Sequence, residues 1–333
     1  MRLSDDRSVY LKLSAVSVIW GGTFVAGRFL SGGVPPLLSA GIRFLLASAV
    51  LLALMLLGRR LVRPSPGQWC QLALLGLIGV FGYNVCFFYG LRYIDASRAA
   101  LIVALNPVAI ALLAAVLHRE KPSGLRLLGV LFCVLGAALV ILGGSGSPSR
   151  AANWIGDALI VGCVLAWGVY SVCSRHLADA IGPLPTVSFS VCLGAVMLTV
   201  TALLSGEVGA ASLSRITLPQ WASLAYLGVI GSALAYVWYY DGIRRIGAAR
   251  SGAFIALSPL TAVLLGALLL DERLTWPVAA GGMLAVLGVG LSNAPVGALR
   301  NGVSRVPVRW RRSPIASRPN DGRRRGSAGR ARS

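Results

Sequence analysis

The sequence predicts an all-α membrane protein with ten transmembrane helices, arranged as two inverted five-helix repeats. The first observation is composition: 56% of the 333 residues are hydrophobic, 13% are charged, and the mean hydropathy is +0.76. In soluble domains, roughly a quarter of the residues are charged. The second observation is that the charges fall in short clusters between apolar stretches of about 20 residues, the length that crosses a bilayer. The third observation is an internal repeat.

The apolar stretches, taken in order along the chain, are the predicted transmembrane helices. They are 10–30, 37–57, 69–90, 97–117, 125–143, 155–175, 184–204, 220–240, 250–270 and 275–293. The connections are short and rich in Gly, Pro, Ser and Arg, as in GRRLVRPSPG and GGSGSPSRAAN. We therefore predict a first repeat over 1–145, a second over 146–293, and a separate tail over 294–333.

The internal repeat is found by aligning the chain with itself at an offset of 152 residues. Residues 68–139 then match 220–291 without a gap, and 27 of the 72 aligned positions are identical. The identities include residue types that a shared apolar bias does not explain, such as Trp69/Trp221, Pro107/Pro259 and Glu120/Glu272. Because each repeat has five spans, an odd number, the second crosses the membrane upside down. Inverted repeats are typical of secondary transporters, which expose a midplane substrate site to alternate sides.

The distribution of basic residues predicts the orientation. With the N-terminus in the cytoplasm, the cytoplasmic segments before the tail carry 13 Arg and Lys residues, and the opposite loops carry 6. We therefore expect a multi-pass protein of the cytoplasmic membrane with both termini in the cytoplasm. The tail holds eleven Arg and one Asp, so we expect it to be disordered and to contact anionic lipids. Its one aromatic residue, Trp310, argues against nucleic-acid binding.

Four stretches are distinctive: WGGTFVAGRF from Trp20, PPLLSAGIRFLLA around Arg43, NPVAIALLAAVLHREK from Asn106 and SPLTAVLLGALLLDERL from Ser258. Together they resemble the EamA-like transporter family of the drug/metabolite transporter superfamily. The resemblance covers the chain apart from its tail. It implies ten spans in two five-helix repeats, a small-molecule substrate, and the export of amino acids or related metabolites.

Two prolines interrupt the predicted fourth and ninth helices at matching positions, Pro107 and Pro259. A proline removes one helical hydrogen bond and bends a helix. The freed carbonyl is tolerated in a membrane where a neighbouring helix or a wet cavity satisfies it. A polar residue precedes each proline, Asn106 and Ser258. We interpret the prolines as paired gating hinges beside a substrate cavity, with a static packing kink as the alternative.

Polar and aromatic residues at mid-span predict the lining of that cavity. Asn84 is the strongest single candidate, since an amide in hydrocarbon is costly unless it meets a partner, water or a ligand. Helix–helix hydrogen bonding is its alternative role. The complete predicted lining is Trp20, Thr23, Tyr83, Asn84, Phe87, Asn106, Trp167, Tyr170, Ser171, Tyr236, Tyr239 and Ser258.

The predicted cavity is uncharged and suits neutral or zwitterionic solutes. No Asp or Glu falls at mid-span, which argues against a cation exporter or a carboxylate-based proton antiporter. Arg43 lies about two turns into the second span. It either snorkels to the outer interface or binds a substrate carboxylate. A structural or interfacial role is the favoured interpretation, because the counterpart of Arg43 in the second repeat is Ser190.

Three other functions remain as alternatives. The first is a nucleotide-sugar or phosphorylated-metabolite exchanger of the same superfamily, which requires a basic pocket. The second is an intramembrane enzyme, which requires convergent catalytic groups, whereas His118 and His176 sit at span ends without partners at ligand spacing. The third is a membrane scaffold. The six cysteines match no metal motif, and the sequence predicts neither a metal site nor a cofactor.

Matched glycines on the predicted fifth and tenth helices indicate close helix packing. They are Gly129, Gly136, Gly281 and Gly288. Small residues let two helix backbones approach each other in a membrane. We expect this contact within the chain, with a homodimer interface as the alternative.

Overall fold

The computed structural model describes residues 2–58, 61–118, 124–142, 154–246, 254, 257–272 and 274–293. Within these ranges the regular structure is helical and includes no strand. The helices are α1 (Arg2–Leu30), α2 (Pro36–Leu57), α3 (Pro66–Leu75), π1 (Gly76–Gly82), α4 (Tyr83–Tyr93), α5 (Ala96–Val103), α6 (Asn106–His118), α7 (Gly124–Leu142), α8 (Trp154–Ile181), α9 (Pro183–Leu204), α10 (Ala210–Ser214), α11 (Leu218–Ala225), π2 (Tyr226–Leu234), α12 (Ala235–Ile246), α13 (Ser258–Leu270) and α14 (Trp276–Asn293). The predicted disordered tail lies outside the described residues.

Six helices are long and apolar enough to cross a membrane, which confirms the prediction of an all-α membrane protein. They are Ser8–Leu30, Pro36–Leu57, Pro66–Tyr93, Trp154–Ile181, Pro183–Leu204 and Leu218–Tyr239. The other four predicted spans coincide with shorter apolar helices, namely Ala96–Ile110, Leu127–Val140, Ser258–Leu270 and Trp276–Gly288. The total of ten spans therefore stays a prediction.

A two-residue turn at 104–105 interrupts the predicted fourth span. Helix α5 ends at Val103, and α6 begins at Asn106 after a turn in which the amide of Leu105 donates to the carbonyl of Ile102 at 3.0 Å. Pro107 is thus the second residue of a new helix, and Pro259 holds the same place in α13. A proline in the first turn of a helix sacrifices no hydrogen bond. Each proline therefore directly follows the first residue of its helix, and its role as a hinge stays a prediction.

The predicted third and eighth spans share one local architecture. Each begins with a capping box, formed by Ser65 with Gln68 in α3 and by Thr217 with Gln220 in α11. Each then continues into a π-helical segment, π1 or π2. A π segment widens the turn, leaves backbone carbonyls with altered partners, and is frequent at functional sites. The two repeats therefore share this irregularity at matched positions.

Glycines in the π segments bring the two repeats into contact. A methyl group on Gly76 would lie 2.8 Å from the carbonyl oxygen of Ser190 in α9. A methyl group on Gly228 would lie 2.7 Å from the carbonyl oxygen of Arg43 in α2. Ser190 and Arg43 are aligned in the two repeats, as are the two glycines. The helices therefore meet by the same small-residue contact on each side of the molecule.

Helices α7 and α14 pack through the predicted glycines. A methyl group on Gly136 would lie 2.6 Å from the carbonyl oxygen of Gly281, and one on Gly288 would lie 2.6 Å from that of Gly129. The packing role expected within the chain is confirmed by these contacts. Elsewhere the repeats interlock, since α1 packs against α12 and α13, whereas α8 packs against α4 and α6.

Candidate functional site

Five of the predicted aromatic residues form a continuous chain of rings. The ring centroid of Trp20 lies 5.3 Å from that of Tyr239 and 6.0 Å from that of Tyr236. Tyr236 lies 6.4 Å from Trp167, which lies 6.0 Å from Tyr83. These distances are in the range in which aromatic pairs attract each other. The chain runs from α1 through α12 and α8 to α4, and so joins residues of both repeats.

The ring contacts extend further into the bundle. Tyr83 stacks on Phe87 at 6.0 Å, Phe87 meets Phe24 at 5.5 Å, and Trp167 stacks on Tyr170 at 5.6 Å. Phe87 is 1% exposed, whereas Trp20, Tyr83 and Trp167 are half-buried. The rings are therefore buried at Phe87 and partly exposed at Trp20 and Trp167. The aromatic cluster consists of Trp20, Phe24, Tyr83, Phe87, Trp167, Tyr170, Tyr236 and Tyr239.

Arg43 lies beside this aromatic cluster with 8% of its surface exposed. Its Cζ is 5.7 Å from the ring centroid of Phe87. Nε donates to Oγ of Ser232 at 3.1 Å, and Nη1 donates to Oδ1 of Asn84 at 3.3 Å. Arg43 therefore lies inside the bundle and not at the interface that snorkelling would require, and it places a positive charge beside the aromatic cluster. Gly228 lets α2 approach π2 closely at Arg43, so the side chain is directed inward.

Asn84 is 1% exposed and lies between two helices. Its Nδ2 donates to the carbonyl of Val80 at 2.7 Å, one turn earlier, while its Oδ1 accepts from Arg43. On the other side, Oγ of Ser232 donates to the carbonyl of Leu227 at 2.9 Å, a five-residue reach that the π2 segment permits. Asn84 thus makes the helix–helix contact that was its alternative role, and it also positions the guanidinium of Arg43.

Trp20 and Thr23 connect α1 to π2. The indole nitrogen of Trp20 donates to the carbonyl of Gly231 at 3.1 Å. The hydroxyl of Thr23 donates to the carbonyl of Trp20 at 2.6 Å, and its methyl faces Gly231. Both residues therefore lie where α1 meets the second repeat. Ser171 is half-buried on α8 next to Tyr170.

Asn106 and Ser258 share an unusual property. Oδ1 of Asn106 and Oγ of Ser258 are both buried and accept or donate no hydrogen bond within the described part of the chain. A buried polar atom without a partner is costly, and such atoms call for an explanation by water, a ligand or another conformation. Ser258 and Pro259 are buried at the start of α13, while the side chain of Pro107 lies outside the described ones. The carbonyl oxygen of Ser258 lies 2.8 Å from where a methyl on Gly21, the neighbour of Trp20, would be, and the place of Asn106 and Ser258 in the cavity lining stays a prediction.

Glu272 joins the two repeats at one end of the bundle. Its Oε1 accepts from the amide of Ala96 at 2.8 Å, and its Oε2 accepts from the amide of Ser97 at 3.0 Å and from the Ser97 hydroxyl. Asp271, with a left-handed φ of 51°, ends α13 and turns the chain toward α5. The carboxylate therefore caps the N-terminus of a helix in the other repeat, where negative charge is stabilising.

Glu207 makes a similar contact at the same end. Its Oε2 accepts from the amides of Leu37 and Leu38 at 2.8 and 3.2 Å, and its Oε1 accepts from the hydroxyl of Tyr89 at 3.0 Å. Gly206, with φ of 74°, ends the preceding helix and directs Glu207 across. We call this end of the bundle, with Glu207 and Glu272, the carboxylate end. The sequence does not predict these caps, because nothing local marks a carboxylate that reaches a distant helix.

A buried ion pair lies near the carboxylate end. Nη2 of Arg98 and Oδ2 of Asp157 are 2.6 Å apart, and Nε of Arg98 donates to Oδ1 at 2.8 Å. The two residues are 2% and 5% exposed. The pair joins α5 to the first turn of α8. Its bidentate geometry and burial make it a structural connection between the repeats.

An apolar cavity of about 410 Å³ lies between α1, the α11–π2 helix and α13. Phe29, Tyr226, Leu265 and Leu269 contribute to its walls. The hydroxyl of Tyr226 donates to the carbonyl of Ile19 at 2.7 Å, so its polar atom is already used. None of the predicted lining residues borders this cavity. It is separate from the aromatic cluster.

Comparison with known proteins gives consistent matches. The model of the EamA-like transporter family matches residues 7–142 and 154–294. The uncharacterized transporter YyaM of Bacillus subtilis is 31% identical over 85% of this chain and 92% of its own length. A probable terminal-alkyne amino-acid exporter of Streptantibioticus cattleyicolor is 27% identical over 69% of this chain and 75% of its own. A crystal structure that is 24% identical superposes with a TM-score of 0.59, covers 86% of this chain and 96% of that one, and supports the fold alone.

Proposed function

This chain belongs to the EamA-like transporter family, and we propose that it exports amino acids or related small metabolites by alternating access. The observation that carries the proposal is the aromatic cluster, which joins α1 and α4 of the first repeat to α8 and α12 of the second. Inverted-repeat transporters bind their substrate where the repeats meet. Aromatic faces with a few fixed polar groups are typical of small-molecule sites.

The proposal includes ten spans in two inverted repeats, over 1–145 and 146–293. Matched contacts support it: Gly76 meets Ser190 as Gly228 meets Arg43. The repeated capping boxes and π segments support it as well. Two similar halves of opposite orientation can exchange conformations, which gives two states of similar energy.

The location of the protein follows from the same proposal. The excess of basic residues on one side favours a multi-pass protein of the cytoplasmic membrane with both termini in the cytoplasm. The arginine-rich tail then contacts anionic lipids on the cytoplasmic face. The substrate is a small molecule, and the transport cycle uses no cofactor or metal.

Amino acids are the favoured substrates. The relative from Streptantibioticus cattleyicolor, whose name describes a probable amino-acid exporter, supports this class. A nucleotide-sugar exchanger is the second candidate, because the buried Arg43 supplies positive charge at the aromatic cluster. Arg43 is the one arginine that the described residues bring to the aromatic cluster, which favours the singly charged carboxylate of an amino acid over a diphosphate.

Transport by the purified protein tests the proposal. The protein is reconstituted in liposomes, and fluxes of radiolabelled amino acids and nucleotide sugars are measured with and without a pH gradient. We expect amino-acid flux that Trp167→Ala reduces and Trp69→Ala leaves unchanged, since Trp69 is 41% exposed and lies outside the aromatic cluster. Nucleotide-sugar exchange without amino-acid flux would overturn the proposed substrate class.

A further inference from the structure

Arg43 brings a positive charge to the aromatic cluster, and its side-chain partners among the described residues are neutral. Among the residues that the structure describes, Arg98 is paired with Asp157, whereas the side-chain partners of Arg43 are the neutral Asn84 and Ser232. A buried charge within a membrane is costly, and such residues usually pair or mark a substrate path. An arginine that stays buried beside neutral partners therefore calls for an anion.

We propose that Arg43, held by Asn84 and Ser232, binds the carboxylate of the transported solute. This inference rests on the proposed function and names the chemical group that the site recognises. The guanidinium carries five N–H donors in a planar fork. Nε and Nη1 each donate one hydrogen bond, and Nη2 donates none to a described residue. A carboxylate matches the donors that remain, because its two oxygens accept from a guanidinium side by side.

Neighbouring groups fix the direction of the fork. Ser232 reaches Arg43 from π2, and Asn84 reaches it from α4, so one residue of each repeat holds the guanidinium. The hydroxyl of Ser232 and the amide of Asn84 are themselves anchored on the carbonyls of Leu227 and Val80. A guanidinium oriented beforehand loses less entropy when it binds an anion.

The surroundings select an amino acid over a larger anion. Within the described residues, no second cation belongs to the aromatic cluster or contacts Arg43, so a diphosphate would leave negative charge uncompensated. The ring of Phe87 lies 5.7 Å from Cζ of Arg43, and Tyr83 stacks on Phe87. Aromatic faces attract an ammonium group. A zwitterion can thus place its carboxylate on Arg43 and its ammonium on the rings.

The test compares solutes that differ in one group. Wild-type protein and its variants in liposomes are given a mixture of the twenty amino acids, the corresponding amino-acid amides and UDP-glucose, and uptake by counterflow is measured by mass spectrometry. The amide removes the carboxylate charge and keeps the side chain and the ammonium. We expect the wild type to move the acid at least about tenfold faster than its amide, because the site is built to satisfy the missing group.

Variants of Arg43 assign that preference to one side chain. Arg43→Gln is expected to reduce acid transport at least about tenfold and to bring acid and amide within about twofold of each other. Arg43→Lys keeps the charge without the fork and is expected to be intermediate. Arg28→Gln is the matched control, since Arg28 is half-buried and bonds the carbonyl of Leu91, which is not a member of the aromatic cluster. If Arg43→Gln does not fold, the acid-to-amide ratio of Arg43→Lys is used.

The outcomes separate this inference from the proposed function. Amino-acid flux with the same acid-to-amide ratio in wild type and Arg43 variants would overturn the carboxylate subsite and leave the proposed function standing. Arg43-dependent flux of UDP-glucose without flux of the acids would overturn the carboxylate in favour of a phosphate. Absence of flux for both acids and amides would contradict the proposed function itself.

Discussion

The contact between Glu272 and α5 provides a direct way to shift the balance between two conformations. In the structure the carboxylate accepts three hydrogen bonds from Ala96 and Ser97, and it holds α5 against the end of α13. If the transport cycle opens the carboxylate end, these bonds must break. The substitution Glu272→Gln removes the charge while it keeps the size and shape of the side chain. We therefore predict that this variant favours the state that is open at the carboxylate end.

The expected magnitude follows from the three bonds. A hydrogen bond to a charged group contributes about 1.5–3 kcal/mol, and one between neutral groups about 0.5–1.5 kcal/mol. Glutamine keeps one acceptor oxygen, whereas its amide nitrogen cannot accept from a backbone N–H, so at least one of the three bonds is lost and the others are weakened. Because such contributions are not fully additive, we expect a total of about 1.5–3 kcal/mol. At 1.4 kcal/mol for each factor of ten, the open population rises roughly 10- to 100-fold relative to the closed one.

Distances between two spin labels measure this population. The labels are placed at Tyr93 and Leu274, two exposed residues at the carboxylate end, and distance distributions are recorded in nanodiscs by pulsed electron paramagnetic resonance. Asp271→Asn is the matched control, since this neighbouring carboxylate is exposed and asparagine also tolerates its left-handed φ of 51°. An unchanged distribution in Glu272→Gln, or an equal change in Asp271→Asn, would refute the role of this contact.

Three further predictions concern packing, the buried ion pair and the prolines. Gly136→Ala is expected to lower the midpoint of thermal unfolding, because the added methyl would lie 2.6 Å from backbone atoms of α14. Gly290→Ala is the control, since its methyl enters open space and should leave the midpoint unchanged. Equal midpoints for the two variants would show that the helices can move apart. Asp157→Asn leaves the charge of Arg98 buried and should destabilise the protein by about 3–5 kcal/mol. Adding Arg98→Met to that variant should recover part of the lost stability. A double variant less stable than Asp157→Asn would contradict the role of the ion pair. Pro259→Ala should reduce transport at normal expression, and an unchanged rate in the flux assay would defeat the hinge role.

Much of the candidate site was predictable from residue type and position in the spans. Trp20, Tyr83, Trp167 and Tyr236 are mid-span aromatic residues, and the structure places their rings in one chain. The reason is geometric: large polar-tipped side chains at mid-span avoid lipid and turn toward other helices. The repeat also predicted which helices share an architecture, because the matched glycines and capping residues of the two repeats are separated by the same 152 residues.

The orientation of Arg43 could not be predicted, because it depends on a distant part of the chain. The absence of a side chain at Gly228 lets α2 approach π2, and Ser232 then meets the guanidinium. A snorkelling arginine and an inward one have the same local sequence. The caps made by Glu207 and Glu272 are similar cases, since each depends on a left-handed residue that turns the chain toward a helix far away in sequence.

Alternating access by this chain requires the two repeats to have opposite orientations in the membrane. Two single-cysteine chains test this, with Lys121→Cys after the predicted fourth span and Leu274→Cys after the ninth, each made after replacement of the six native cysteines. Each is exposed in intact cells to a maleimide that does not cross the membrane, and again after the cells are opened. We predict that Leu274→Cys reacts in intact cells and that Lys121→Cys reacts only after opening. Reaction of both positions from the same face of the membrane would contradict the inverted repeat and the alternating access that we derive from it.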